Sequence, residues 1–242
     1  MKKSMMAMTI GLAIGLGAMT QAKADDDRAW AWSPLGIGIA APIQLPFMSS
    51  DVYGLRIGGL FGYNHDVYGI DAGVAEICSG NFAGLQAAAM SWAEGDVYGI
   101  QLSSLANVVK GRTIALQSGF ANVVWDDAAG VQLGTVNYTT DFAGLQVSSV
   151  INWNELDSYG LEISLINANQ SAFFGWAIGG LVNYSDTFTG FSCGLINAAY
   201  DMNGFQLGLL NACDHMHGVQ FGLINLICES KLPVMVLMNA WF

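Results

Sequence analysis

A unit of about fifteen residues recurs along most of this chain, and it constrains the fold more than any other feature. The clearest copies are GVQFGLIN at 218–225, GFQLGLLN at 204–211 and GVQLGTVN at 130–137. ALQSGFAN at 115–122, GLEISLIN at 160–167 and GFSCGLIN at 190–197 are weaker copies. Counting the first residue of each copy as position 0 gives the column Gly54, Gly69, Gly84, Gly99, Ala115, Gly130, Gly144, Gly160, Gly175, Gly190, Gly204 and Gly218, at intervals of 14 to 16 residues. A last, degenerate copy begins at Leu232 and ends in Asn239, and a further strand is expected around Trp32–Pro42. Such a unit cannot bury its faces alone and must stack on its neighbours.

Within each unit the residues alternate. Positions 1, 3 and 5 are large and apolar, as in Val219, Phe221 and Leu223, whereas positions 0, 2 and 4 are small or polar, as in Gly218, Gln220 and Gly222. A period of two marks a β-strand with two unlike faces. Between copies lie polar clusters such as Thr139-Thr140-Asp141, Ser185-Asp186-Thr187 and Lys110-Gly111-Arg112. Short polar side chains of this kind bond to nearby backbone in turns. One obvious turn per unit leaves a strand of about 10 residues, close to the 9–11 that a tilted strand needs to cross a bilayer.

Composition bears on where such strands reside. Only 11% of residues are charged and 53% are hydrophobic, against about 25% charged in an ordinary soluble domain. Lys2 and Lys3, the apolar run from Met5 to Met19 and the small residues of Ala22-Lys23-Ala24 form the layout of a secretory signal peptide over residues 1–24. The mature chain then begins near Asp25 and forms one β-repeat domain over residues 25–242, with five basic and nineteen acidic residues and a net charge of −14. That balance excludes nucleic acid as a partner.

Two architectures accommodate a strand-plus-turn repeat. The first, and the expected one, is an up-and-down outer-membrane β-barrel of about 13–14 strands, with apolar positions facing lipid and small or polar positions facing a lumen. Tyr53, Tyr68, Tyr98 and Tyr159 at one strand end, with Trp92, Tyr138, Trp153 and Tyr184 at the other, would form its two aromatic girdles. The alternative is a β-solenoid with one repeat per coil, in which Gln at position 2 and Asn at position 7 stack as ladders. A coil must bend at least twice, and the sequence displays one turn, so the solenoid requires a second bend that the Gly positions would have to supply. The candidate repeat-face residues are the same in both: Gln86, Gln101, Gln117, Gln132, Gln146, Gln206 and Gln220, with Asn137, Asn167, Asn197, Asn211 and Asn225. Asn122 and Asn239 extend the Asn column.

GVQFGLIN, GFQLGLLN and the ending LPVMVLMNAWF resemble the bacterial surface-repeat family first described in Leptospira, whose members carry GLQ-G-x-x-N units behind a signal sequence. The resemblance covers residues 51–242 and implies an envelope location without an established catalytic activity. It departs from lipid-anchored members in having no cysteine at the cleavage point. In the Gln column Arg56, Asp71, Glu162, Ala177 and Ser192 replace the amide.

A search for chemistry leaves little. Cys213-Asp214-His215-Met216-His217 offers soft metal ligands, but it reads as a polar turn, as does His65-Asp66. No Gly-x-Gly-x-x-Gly, Gly-Lys-Ser/Thr or Gly-x-Ser-x-Gly is present. The acidic residues read as solvated turns rather than a Ca²⁺ rim, because no Asp-x-Asp-x-Asp loop occurs. Cys213 and Cys228 would be neighbours in a solenoid and at opposite rims in a barrel. The expectation is an exported, non-catalytic protein without cofactor or metal, in the outer membrane or at the cell surface of a Gram-negative-type bacterium. Its expected role is structural or pore-like with outer-membrane lipid as its partner, or, as a solenoid, adhesion or binding of a surface ligand or protein.

Overall fold

The computed structural model describes residues 32–230 and 232–242; the expected signal peptide lies outside them. Among the described residues there is no helix. The strands are β1 (Trp32–Ala40), β2 (Ile43–Leu45), β3 (Asp51–Asn64), β4 (Val67–Ala72), β5 (Ala75–Cys78), β6 (Phe82–Ala93), β7 (Val97–Val109), β8 (Thr113–Ser118), β9 (Ala121–Val124), β10 (Asp127–Thr139), β11 (Asp141–Asn154), β12 (Ser158–Cys193), β13 (Ile196–Leu207), β14 (Leu210–Ile227) and β15 (Val234–Trp241). They wind into a β-solenoid of about 13 turns. At the usual spacing of about 4.8 Å between strands, the rod is about 60 Å long.

The up-and-down barrel is therefore not the fold, and pairing direction is the reason. A meander alternates direction, whereas here successive repeats pair parallel and in register. Gly130, Gln132 and Asn137 lie beside Gly144, Gln146 and Asn152, and Gly204 and Gln206 lie beside Gly218 and Gln220. Like residues thus stack on like. With the barrel goes the lumen: the small and polar side chains pack in the interior with apolar ones such as Phe82 and Phe142 instead of lining a channel.

Each coil has two walls. One runs from position −2 to 3, as in β4, and the other from position 6 to 9, as in β5. They are joined on one side by the polar turn, such as Ser79-Gly80-Asn81. On the other side they are joined by a bend at positions 4 and 5, explicit at Gly73-Val74, Gly119-Phe120, Gly194-Leu195 and Gly208-Leu209. This second bend carries no Asp, Asn or charged residue. Position 4 is Gly, Ala or Ser in every copy, and position 5 is a large apolar residue in half of them, as at Phe120 and Leu209, which point outward. Part of the variable interval is absorbed here, since the register shifts between Ala88 and Met90, Gly134 and Val136, and Val147 and Ile151, and the rest in the polar turn. The columns on both walls stay aligned.

Glycine does supply the second bend, but at position 4; the position 0 glycines serve a different purpose. They lie inside the first wall with φ between +122° and +151°, and Ala115 alone keeps a negative φ. This region of backbone space is essentially restricted to Gly. A Cβ at Gly144 would also run into the carbonyl oxygen of Gly130 in the coil below. The column is therefore fixed by stacking rather than by bending.

Both ends depart from the repeat. β2 folds back antiparallel on β1, and β15 lies antiparallel to β14, so the degenerate copy from Leu232 is a cap and not another coil. Asn239 consequently sits opposite Gln220 and outside the Asn column. Gly144→Ala should destabilise the fold by about 2–4 kcal/mol through strain and collision, while Ala115→Gly should cost about 0.5–1 kcal/mol. Urea denaturation of the two variants beside the unaltered protein checks the contrast.

Candidate functional site

The interior is built from five inward columns, and two of them are amides. Gln101 Nε2 donates to Gln86 Oε1 at 2.8 Å, Gln117 to Gln101 at 2.8 Å, Gln132 to Gln117 at 3.0 Å and Gln146 to Gln132 at 2.8 Å. All of these are buried. Gln206 and Gln220 form a separate pair at 2.9 Å. On the facing wall Asn107, Asn122, Asn137, Asn152, Asn167, Asn183, Asn197, Asn211 and Asn225 make an unbroken run at 2.8–3.0 Å. A primary amide both donates and accepts, so stacking identical residues satisfies each with the next. The candidate repeat-face residues are thus brought together as two ladders, but buried and not presented to a ligand.

The Asn ladder also holds the second bend. Asn122 Nδ2 reaches the carbonyl of Leu133 at 3.0 Å, Asn197 that of Leu207 at 2.9 Å and Asn211 that of Phe221 at 2.8 Å, each at position 3 of the next coil. Position 4 must be small because the amide lies over it: a Cβ at Gly208 would sit 2.6 Å from Asn197 Nδ2. The bend is written across the interior, by Asn at position 7 and a small residue at position 4.

Arg56, Asp71 and Glu162 in the Gln column stay hydrogen-bonded, whereas Ala177 interrupts it. Arg56 donates through Nε and Nη2 to Asp71 at 2.7 and 2.6 Å, and Gln86 Nε2 donates to the same carboxylate at 2.7 Å. Arg56 is also 3.2 Å from Glu76, outside hydrogen-bonding geometry. Burial and the Asp71 charge push Glu76 upward, against the opposing pull of Arg56. Farther along, Glu162 accepts from Asn154 at 2.8 Å and Asn169 at 3.0 Å, yet burial pushes it up to about 8. These carboxylates are sealed from solvent, and are structural rather than poised to meet a substrate.

The turn edge gathers the remaining charge. Asp66 and Asp96 accept the backbone N–H of Asn81 and Arg112 at 2.6 and 2.9 Å, and Asp141 accepts that of Asp157 at 3.0 Å. Each acid therefore braces the next turn. Asp51, His65 and Asp66 lie close enough to share an ion, their ligand atoms within 4.8 Å of one another. His215 and His217 belong to strand β14 rather than to a turn; His215 pairs with Glu229 at 3.0 Å, and His217 packs against Phe242. Cys213 and Cys228 do stand in adjacent coils, but Cys213 points inward and Cys228 outward, and all four cysteines are free. Burial lifts the Cys213 thiol to about 12.

What remains for recognition is the outside, and it is apolar. Leu105 and Phe120 at the bend are each 60% exposed, and Leu209 is 58% exposed. Leu55, Ile100, Leu133 and Leu207 continue the exposed apolar surface over the first wall, and Ile196 and Ile224 carry it onto the second. A groove of about 350 Å³ opens between Tyr98 and Tyr159, where Ala129 and Ala143 leave a gap in a column otherwise rich in aromatics, with Asp127, Asp141 and Asp157 along its rim. No protein-family model, no characterised protein and no solved structure matches the chain.

Two outcomes test the ladders. Asn152 accepts from Asn137 at 2.9 Å and donates to Asn167 at 3.0 Å, so Asn152→Leu should cost about 2–4 kcal/mol by taking one bond from each neighbour and placing an apolar side chain in the amide column. For Glu162 the folded pKa lies above the ordinary 4.5, so the folded state retains a proton that the unfolded chain releases. Stability then falls as pH climbs from the ordinary carboxylate range through about 8 and levels off above it. Glu162→Gln should abolish this fall, adding about 1–3 kcal/mol at pH near 8 and little at pH near 4, as read by urea denaturation at both pH values.

Proposed function

We propose that the chain is an exported, non-catalytic repeat protein of the cell envelope, a surface solenoid that works by binding or adhesion through its outer walls. The observation that carries this reading is the outer surface: two amide ladders take up much of the interior while large apolar side chains stand outside. A monomer in water rarely exposes a contiguous apolar area beyond a few hundred Å², and larger ones mark surfaces that meet something else. The rod repeats that surface at every coil, which suits an extended contact better than a pocket. The shifted carboxylates Glu76 and Glu162 are buried, which favours a structural over a catalytic role.

The address rests on the residues at 1–24, with their basic start, apolar run and Ala22-Lys23-Ala24, together with the likeness of GVQFGLIN and GFQLGLLN to the Leptospira-type surface repeats. Expressed at full length in a Gram-negative host, the protein should be shortened by the 24 expected residues and recovered with the envelope. The variant Leu133→Glu/Leu207→Glu should be exported and folded equally well but released when envelopes are washed. An unprocessed chain in the cytosol would overturn the address, and a fully retained double variant would overturn the role of the outer walls.

A further inference from the structure

We propose that the partner of the outer walls is lipid: the rod lies within one leaflet of a bilayer, its axis parallel to the membrane plane, the second bend among the acyl chains and the acidic turn edge in water. This deepens the reading that the outer walls are the working surface. The first observation is the distribution of charge. Among the described residues, every charged side chain that is not buried lies on the turn edge, from the half-buried Asp51, Asp96 and Asp157 to the exposed Asp127 and Glu229. Both walls and the bend carry none. A protein partner or a second copy would cover one wall and leave the other wall and the bend in water. Only a surrounding medium covers three sides of a rod at once.

The second observation is a pair of aromatic columns at the boundary. At position −1 stand Tyr53, Tyr68 and Tyr98, and at the corresponding place on the other wall stand Trp92, Trp153 and Tyr184. The barrel reading placed these at opposite membrane surfaces; the solenoid brings both columns to the flanks of one charged edge. Tyr68 and Tyr98 donate their hydroxyls to Asp66 and Asp96 at 3.3 and 3.2 Å, so that the ring faces the wall and the oxygen faces the edge. Trp and Tyr take this place at membrane–water interfaces.

Dimensions and backbone agree. The first wall, six residues in β4, stands about 20 Å tall at about 3.3 Å per residue. A leaflet contributes about 15 Å, half of the roughly 30 Å hydrocarbon core, so the walls suit one leaflet and are too short for two. Lipid also demands that backbone N–H and C=O groups be paired. In the coils they pair along the axis with the coils on either side, which leaves free edges only at the terminal strands β2 and β15. Because the acids point away from the membrane, entry needs no anionic lipid and little depends on salt.

The test uses the full mature protein, purified in mild detergent and diluted into phosphatidylcholine vesicles. It should float with the vesicles at low and at high salt, and its tryptophan emission should be quenched by phosphatidylcholine brominated along the acyl chains. Leu195→Asp/Leu209→Asp at the bend should reduce vesicle partition at least tenfold, while Asp126→Asn on the turn edge should leave it unchanged. Failure of the unaltered protein to float, or flotation without quenching, would overturn the proposal. So would a bend variant that keeps a β-sheet circular dichroism spectrum and floats undiminished. If that variant does not fold, quenching of the unaltered protein decides. A chain that is exported and envelope-bound yet ignores vesicles removes the lipid assignment and leaves the envelope role. A chain that enters vesicles but is never exported does the reverse.

Discussion

The fold depends on one constraint: each coil must present to the next the residues that it receives from the one before. A primary amide meets that demand because it donates and accepts along the same line, and parallel, in-register stacking at about 4.8 Å brings the two functions together. From this follow the parallel pairing, the nearly constant interval and the placement of irregularity at the second bend and the polar turn, where a residue can be added without displacing either ladder. The ladders run in opposite senses. Each Gln donates toward the preceding coil and each Asn toward the following one, so the two rows of amide dipoles oppose one another and the rod accumulates little net side-chain dipole.

A polar interior of this kind is costly wherever a partner is missing, which explains the residues that replace Gln. Arg56 and Asp71 substitute for the amide as a complementary pair, and Gln86 takes its place behind them. Where Glu162 interrupts the column, the position 9 residues change to Asn154 and Asn169 and supply the donors. Where Ala177 drops out of hydrogen bonding, Phe173 and Phe188 fill the neighbourhood with apolar volume. The charged departures are compensated by residues seven or more positions away in sequence. At the last full coil Gln220 Oε1 has no donor and Asn239 Nδ2, on the opposing strand of the cap, has no acceptor; the ladder ends where the repeat ends.

Much of this was legible in the sequence. The reference column, the alternation along GVQFGLIN and the Gln and Asn columns all survive in the structure, and the solenoid was the stated alternative. The choice between barrel and solenoid was not legible because the second bend carries no Asp, Asn or charged residue. It is encoded by the smallness of position 4 and by Asn at position 7 reaching across to a carbonyl of the next coil, a relation between residues more than ten apart. Nor does a period of two reveal what lies outside the large residues. The position 0 glycines invited interpretation as bends, but their positive φ and their contact with the carbonyl below appear only once the coils are stacked. Cys213 and Cys228 are neighbours in adjacent coils, as a solenoid requires, but alternation along the strand turns their side chains apart.

A stack of identical parallel coils has no intrinsic end, since any coil can receive another copy, and an exposed strand edge invites association. This chain closes both ends by reversing direction. Against β15 the next position beside Gln220 is held by Asn239, and beside Phe221 by Met238, so the columns meet unlike residues in an antiparallel register. An incoming coil would find neither the amide spacing nor the strand direction that it needs. The same rule that builds the rod, like residue upon like residue, thus limits its length once a strand breaks the rule. The acidic turn edge imposes a parallel limit sideways, because Asp127, Asp141 and Asp157 lie on consecutive coils and repel the same edge of a second rod. Lateral association through that edge is disfavoured, which leaves the apolar walls and bend as the surface through which the rod can engage its surroundings.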